Sequence, residues 1–125
     1  MLQHIKKSII LLTITLFSCE AEDSLNDVIN QTWDLDWKKC GPYHNQFDAV
    51  LLFNLTDSTS DGWFLEQGFD TVYFEASILS NESIYIEKAT DGGWNGELKV
   101  HDFGLNRLDV ERKNVGCENE MFRFK

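Results

Sequence analysis

Residues 72–87 read VYFEASILSNESIYIE and carry a clear strand pattern. Apolar and polar residues alternate in the first run, and they alternate again in Ile84–Glu87. The polar segment Ser80–Ser83 separates the two runs. A period of two is typical of a strand with one buried face, and a short polar segment between two such runs is typical of a turn. The stretch therefore predicts a β-hairpin.

The same pattern continues on both sides of this hairpin. Alternating or continuous apolar runs occur at Thr32–Trp37, Ala49–Leu55, Leu98–His101, Leu108–Glu111 and Phe122–Lys125. A weaker run, Trp63–Gln67, is interpreted as one more short strand. Turn-forming residues separate these runs at nearly regular intervals, which predicts an all-β antiparallel meander of seven or eight strands.

The N-terminus has the composition of a secretory signal. Lys6 and Lys7 precede a short apolar run, Ile9–Phe17, which is about half the length of a membrane-spanning helix. Leu16, Ser18 and Cys19 resemble the Leu-x-small-Cys box of bacterial lipoproteins, with Phe17 at the variable position. The resemblance implies cleavage before Cys19, acylation of that cysteine with palmitate-like chains, and an outer-membrane lipoprotein of the cell envelope. The alternative is an ordinary secreted protein with a chance cysteine.

An acidic segment follows Cys19, beginning with Glu20, Glu22 and Asp23. It resembles the tract that directs lipoproteins of one group of Gram-negative bacteria to the outer face of the outer membrane. The alternative is a solvated tether, since short acidic tracts are common in linkers. The predicted organisation is therefore a signal peptide at 1–18, a lipidated acidic tether at 19–29 and an all-β domain at 30–125. The one candidate helix lies around Ser24–Asn30, with Ser24 as its cap.

The net charge of the predicted mature protein limits the classes of partner that it is expected to bind. Cleavage removes Lys6 and Lys7, so the basic residues fall from 11 to 9 against 21 acidic residues, which gives a net charge of −12. Phosphate binding needs clustered Lys and Arg, so nucleic acid is not an expected partner. The negative charge suits a basic protein, or it keeps a monomer soluble beside the membrane.

Two cysteines remain for the domain. Cys40 lies just after the first predicted strand, and Cys117 lies just before the last. An even pair in an exported protein predicts a disulfide. The alternative is a metal or catalytic pair, although neither cysteine has a Cys-x-x-Cys partner and the closest histidine is His44. A disulfide between the first and last strands is what closing a meander into a barrel requires, although a β-sandwich also brings two cysteines together.

The domain resembles the small lipoproteins with a lipocalin-like barrel. Their first strand often begins Gly-x-Trp, and their last strand carries an Arg that packs across the Trp. Here Gln31-Thr32-Trp33 and Met121-Phe122-Arg123-Phe124 stand in those places, with Gln31 instead of glycine. The resemblance implies that Trp33 and Arg123 form a structural pair that closes the barrel. The alternative is a core Trp and an exposed Arg on separate strands.

Catalytic patterns are missing from the sequence. It contains no nucleophile elbow, zinc-binding helix motif or phosphate-binding glycine loop. Asp34 and Asp36 are paired carboxylates, but a period of two makes them the solvent face of a strand whose Trp residues point inward. Asp34 and His101 are the residues to substitute in a test for an unrecognised activity. The sequence predicts no enzyme, no cofactor and no metal site.

Aromatic residues are the candidates for contact with a ligand or a partner protein. Trp63 and Trp94 lie beside turns, and Tyr43 follows the first strand. At one rim of a barrel they would form a ligand mouth or a protein-binding patch; the alternative is that they cap the core. The expected function is a non-enzymatic, lipid-anchored module that binds an apolar small ligand or a protein partner. A second expectation is an envelope inhibitor or immunity protein that neutralises a basic toxin or lytic enzyme. Alternation is the same in a hollow and a packed barrel, so the sequence does not separate these functions.

Overall fold

A computed structural model describes residues 24–114 and 116–125. Within these residues the chain forms one short α-helix, one 3₁₀ helix and nine strands. The helices are α1 (Leu25–Val28) and the 3₁₀ helix Gly92–Trp94. The strands are β1 (Thr32–Cys40), β2 (Tyr43–Asn45), β3 (Ala49–Leu55), β4 (Ser60–Glu66), β5 (Val72–Ser80), β6 (Ser83–Glu87), β7 (Gly96–Gly104), β8 (Arg107–Asn114) and β9 (Cys117–Phe124).

The strands form one antiparallel sheet that closes on itself. From β3 to β9 each strand pairs with the next, β3 pairs with β1, and β9 pairs back onto β1. Eight strands therefore make a closed barrel, and β2 is an extra strand that forms a hairpin with the end of β1. The prediction of a closed antiparallel barrel is confirmed, and the sandwich alternative is excluded.

The alternation in sequence places side chains inside and outside the barrel. In β5, Val72 and Phe74 are buried and Tyr73 between them is exposed. In β9, Phe122 and Phe124 are each 1% exposed and lie in the core. Period two therefore identifies most of the core, because successive residues of a strand point to opposite faces of a sheet.

β1 breaks this rule at Asp36. The pairing of β1 with β9 shifts register between Leu35 and Trp37, so one extra residue stands in β1. A bulge of one residue exchanges the inner and outer faces of the rest of the strand. The prediction that Trp37 shares the inward face of Trp33 is therefore wrong: Trp33 is fully buried, whereas Lys38 faces inward and Trp37 lies outside the barrel.

Helix α1 closes one end of the barrel. At its start the Ser24 backbone N–H donates a hydrogen bond to Asp27 Oδ2 at 3.0 Å, which confirms the predicted helix start. Leu25 and Ile29 are 0% and 1% exposed, and the Trp33 indole N–H donates to the Ile29 carbonyl at 3.0 Å. This end is called the closed end.

These contacts correct the predicted domain boundary. Leu25 to Ile29 belong to the folded domain and not to a tether, because their apolar side chains fill the closed end. The prediction of a domain at 30–125 therefore starts too late. The predicted signal peptide, Cys19 and the first part of the tether lie outside the described residues. No helix in the described part of the chain is long and apolar enough to cross a membrane.

A disulfide lies at the opposite end of the barrel. Cys40 ends β1 and Cys117 begins β9, and their Cα atoms are 5.6 Å apart. The bond spans 77 residues and fastens the first barrel strand to the last. The predicted pairing is confirmed, together with its place at the seam where the barrel closes.

Candidate functional site

The end of the barrel that carries the disulfide contains a cavity of about 750 Å³, which we call the mouth cavity. The loops β4–β5 and β6–β7 form one side of it, and residues of β1, β8 and β9 form the other. Six apolar or aromatic residues line it: Phe64, Phe69, Val72, Tyr73, Trp94 and Phe122. The barrel is thus packed towards the closed end and hollow towards the other.

Trp94 forms the floor of the mouth cavity. It ends the 3₁₀ helix, whose start is capped by the Asp91 carboxylate accepting a hydrogen bond from the Gly93 N–H at 3.0 Å. The indole is 5% exposed and lies 4.7 Å from the Phe64 ring and 5.9 Å from the Phe122 ring, centre to centre. These contacts join the β6–β7 loop to the core, so packing holds the Trp94 ring in place.

A charged cluster forms one wall of the cavity. Glu120 is 1% exposed, although it is a carboxylate. Lys38 Nζ lies 3.3 Å from its Oε2, and the Arg112 Nε–H donates to its Oε1 at 2.7 Å. The Arg112 guanidinium also stacks on the Trp94 ring at 4.1 Å. The pairing satisfies the buried carboxylate, and two cations for one anion leave a net charge of +1 on this wall.

The opposite side of the mouth carries acidic residues. Glu66, Asp70 and Asp91 lie there, and both aspartates are exposed to solvent. Phe69 is 69% exposed beside them. The entrance therefore combines an acidic, solvated rim with an apolar floor and a cationic wall.

Arg123 does not pack on Trp33. It lies outside the barrel, where its guanidinium stacks 5.0 Å from the Trp37 ring. Arg123 donates two hydrogen bonds, of 2.9 and 3.0 Å, to the two carboxylate oxygens of Asp109. These hydrogen bonds are the largest cause of the raised pKa of Arg123. The predicted Trp33–Arg123 pair is wrong because Arg123 alternates with the inward Phe122 and Phe124, whereas Trp33 is itself inward.

The three predicted rim aromatics separate in the structure. Trp94 lines the mouth cavity, but Tyr43 is 71% exposed on β2 and lines no part of it. Trp63 is half-buried on the outer face of β4, opposite Leu52 on one neighbouring strand and Tyr73 on the other. Leu52, Trp63 and the neighbouring pair Val50 and Leu65 are called the outer patch.

The structure also places the residues considered for catalysis. Asp34 is exposed, and Asp36 lies 3.5 Å from Lys125 Nζ. His101 Nε2 lies 2.7 Å from Glu111 Oε1. Among residues 24–114 and 116–125, no group of three His, Cys, Asp or Glu side chains is placed to hold a metal ion.

Sequence reasoning missed the cationic wall. Lys38, Arg112 and Glu120 were not singled out, although two of them carry a signal. Arg112 continues the inward positions of Leu108 and Val110, and Glu120 precedes Phe122 and Phe124 on the inward face of β9. Charged residues at inward positions near a strand end indicate a polar wall at that end of a barrel. Lys38 has no such signal, since the bulge alone turns it inward.

Comparison of the chain with models of protein families, with curated proteins and with solved structures finds no match. The eight-strand closed barrel is consistent with a lipocalin-like architecture.

Proposed function

We propose that this protein is a non-enzymatic, lipid-anchored module of the cell envelope that binds a small, largely apolar ligand in the mouth cavity. The observation that carries the proposal is the cavity of about 750 Å³ above an aromatic floor. Small-molecule sites have volumes of roughly 300–1,000 Å³ and are lined mainly by apolar and aromatic side chains with a few polar groups. The mouth cavity has this size, and its lining combines six apolar or aromatic residues with seven polar or charged ones.

The cavity is supported by rigid elements. The disulfide ties β1 to β9 at the same end, and contacts among the rings of Trp94, Phe64 and Phe122 hold the floor. A site that is formed in advance loses little conformational entropy on binding, which favours affinity. Burial of apolar ligand surface on the floor would supply about 25 cal/mol per Å² before the costs of association.

The direction of the cavity fits an anchored protein. Ser24 enters the fold at the closed end, opposite the mouth cavity. Only five residues, Glu20–Ser24, separate Cys19 from Leu25, and they span at most about 18 Å when extended. An acyl anchor on Cys19 would keep the closed end near the membrane and turn the mouth cavity towards the surroundings.

Binding of a neutral apolar dye, Nile red, tests this function by fluorescence. Thr71 is half-buried in the cavity lining, and Thr71→Trp would fill part of the space. We expect a loss of about tenfold or more in dye affinity. Ser77→Trp adds the same side chain at an exposed strand position that does not line the cavity, and it should bind like the unchanged protein. Equal affinities in both variants would contradict the proposal.

The outer patch favours a second candidate, an envelope inhibitor or immunity protein that neutralises a basic toxin or lytic enzyme. Trp63 and Leu65 are exposed in part, and the patch is bordered by acidic residues such as Asp34 and Asp61. Aromatic centres with polar rims are typical of protein interfaces. Inhibition of a basic muramidase that falls with salt and with Trp63→Ser would support this candidate. A failure to inhibit at low salt would count against it.

A further inference from the structure

We propose that the ligand of the mouth cavity carries one anionic head group, such as a carboxylate, and that Lys38 and Arg112 bind it. This inference rests on the proposed ligand-binding function and specifies the chemical class of the ligand. The ligand class is an amphiphile with an apolar body and a single negative charge.

The charge of the wall is the first argument. Lys38 and Arg112 both pair with one carboxylate, that of the buried Glu120. The side chains of Lys38 and Arg112 are 24% and 14% exposed, so both cations are largely removed from water. A half-buried excess positive charge is poorly screened, and an anion that enters the cavity would neutralise it.

The hydrogen-bonding capacity of the two cations is the second argument. An ammonium group has three N–H donors and a guanidinium has five. Lys38 and Arg112 use only part of this capacity on Glu120. Arg112 lines the cavity and lies over the Trp94 ring, so the donors that Glu120 does not use are available to a planar carboxylate in the cavity.

The apolar floor lies directly beside this wall. The Trp94 ring contacts the Arg112 guanidinium of the wall, and it also contacts the rings of Phe64 and Phe122. A head group at Arg112 would therefore leave the apolar body of the ligand over the aromatic rings. The two chemical requirements are met within one cavity.

The acidic rim favours a rival hypothesis, in which the ligand is cationic. Asp70 and Asp91 are exposed, and Glu66 is half-buried. Charges in contact with solvent are screened over about 8 Å at physiological salt. The wall cations are less exposed than the rim aspartates, so the wall outweighs the rim for a group bound inside the cavity.

Three probes with the same ten-carbon chain separate these possibilities: decanoate, decanol and decylammonium, each used below its micelle concentration in calorimetric titrations of the full chain. We expect decanoate to bind about tenfold more tightly than decanol, and decylammonium to bind more weakly than decanol. This preference should largely persist at high salt, because the two wall cations are partly buried and weakly screened. A preference that high salt abolishes would come from exposed charges and would contradict the inference. Equal binding of decanoate and decanol, or tighter binding of decylammonium, would overturn the inference and leave the proposed function standing. Binding of none of the three would overturn both.

Lys38→Met adds a matched test. It leaves Arg112 paired with Glu120 in a wall of no net charge, so the ratio of decanoate to decanol affinity should fall from about ten to about one. Lys88→Met removes the same charge from an exposed lysine that pairs with Glu75 and does not line the cavity, and its ratio should stay near ten. Equal ratios in the two variants would show that Lys38 does not set the preference and would contradict the role of the wall. If Lys38→Met does not fold, the salt dependence and the three probes decide the question in the unchanged protein.

Discussion

The Arg112 guanidinium lies 4.1 Å from the centre of the Trp94 ring, at the boundary between the packed interior of the barrel and the mouth cavity. A cation over an indole is attracted by the negative face of the ring, and the attraction grows as water is excluded. The same two residues therefore define the floor and one wall of the cavity. Loss of this contact would therefore change both the floor of the mouth cavity and the position of the Arg112 cation in its wall.

Replacement of Trp94 should be costly, because it removes the floor and leaves Arg112 without its ring. For Trp94→Ala we expect a loss of about 3–5 kcal/mol in the free energy of unfolding, as for other large aromatic side chains in cores. Trp63→Ala is the matched control, since Trp63 is half-buried on the outer face and its loss opens no interior space. Urea unfolding followed by circular dichroism measures both. A cost for Trp63→Ala equal to that of Trp94→Ala would contradict the assignment of Trp94 to the core.

The corrected domain boundary gives a second prediction. Leu25 is fully buried at the closed end, so Leu25→Ala should reduce the free energy of unfolding by about 2–5 kcal/mol. Its neighbour Asn26 is exposed in the same helix, and Asn26→Ala should change stability by less than about 0.5 kcal/mol. Thermal and urea unfolding of the two variants provide the comparison. Equal stabilities would place residues 25–29 outside the domain after all.

The disulfide should contribute strongly to stability. Cys40 and Cys117 close a loop of 77 residues, for which the chain-entropy model gives about 4 kcal/mol. Replacing both by serine should therefore lower the midpoint of guanidinium unfolding, and addition of a reductant should lower the midpoint of the unchanged protein in the same direction. The serine variant provides the control, because reductant should not affect its midpoint. Insensitivity of the unchanged protein to complete reduction would be the contrary result.

Gly62 tests the packing of the barrel wall. A Cβ atom at this position would collide with the Phe74 ring and would lie 2.9 Å from the Leu52 carbonyl oxygen. Overpacking of a core typically costs about 1–3 kcal/mol, so Gly62→Ala should destabilise the protein by that amount. Gly104 is also a strand glycine, but a Cβ atom there meets nothing within 4 Å, and Gly104→Ala should be neutral or slightly stabilising. Urea midpoints that rank the two variants in the opposite order would contradict this packing.

Much of the fold was predictable because apolar and polar residues alternate along each strand, and this alternation indicates directly which side chains are buried. The hairpin around Ser80–Ser83, the closed meander and the Cys40–Cys117 bridge all follow from local patterns and from compartment chemistry. The bulge at Asp36 was not predictable, since no residue type marks it and its effect appears only when β1 is paired with β9. That single extra residue moved Trp37 outside, where it contacts Arg123, and turned Lys38 inward.

The site was only partly predictable. Trp94 was singled out because it lies beside a glycine turn, but so was Trp63, and local sequence does not distinguish a loop residue that folds inward from a strand residue that points outward. The hollow end of the barrel had no sequence signal of its own. Volume depends on how side chains from several strands meet, and alternation is identical in a packed and a hollow barrel.

In the proposed function the ligand binds in the mouth cavity and not on the outer patch. The indole N–H signals of a ¹⁵N-labelled protein test it most directly, because Trp33, Trp37, Trp63 and Trp94 lie in four different environments and each signal is assigned by substitution. On titration with decanol, a neutral ligand, the Trp94 signal should shift in a saturable way, and the signals of Trp33, Trp37 and Trp63 should stay in place. A saturable shift of Trp63 with a stationary Trp94 signal would contradict the account.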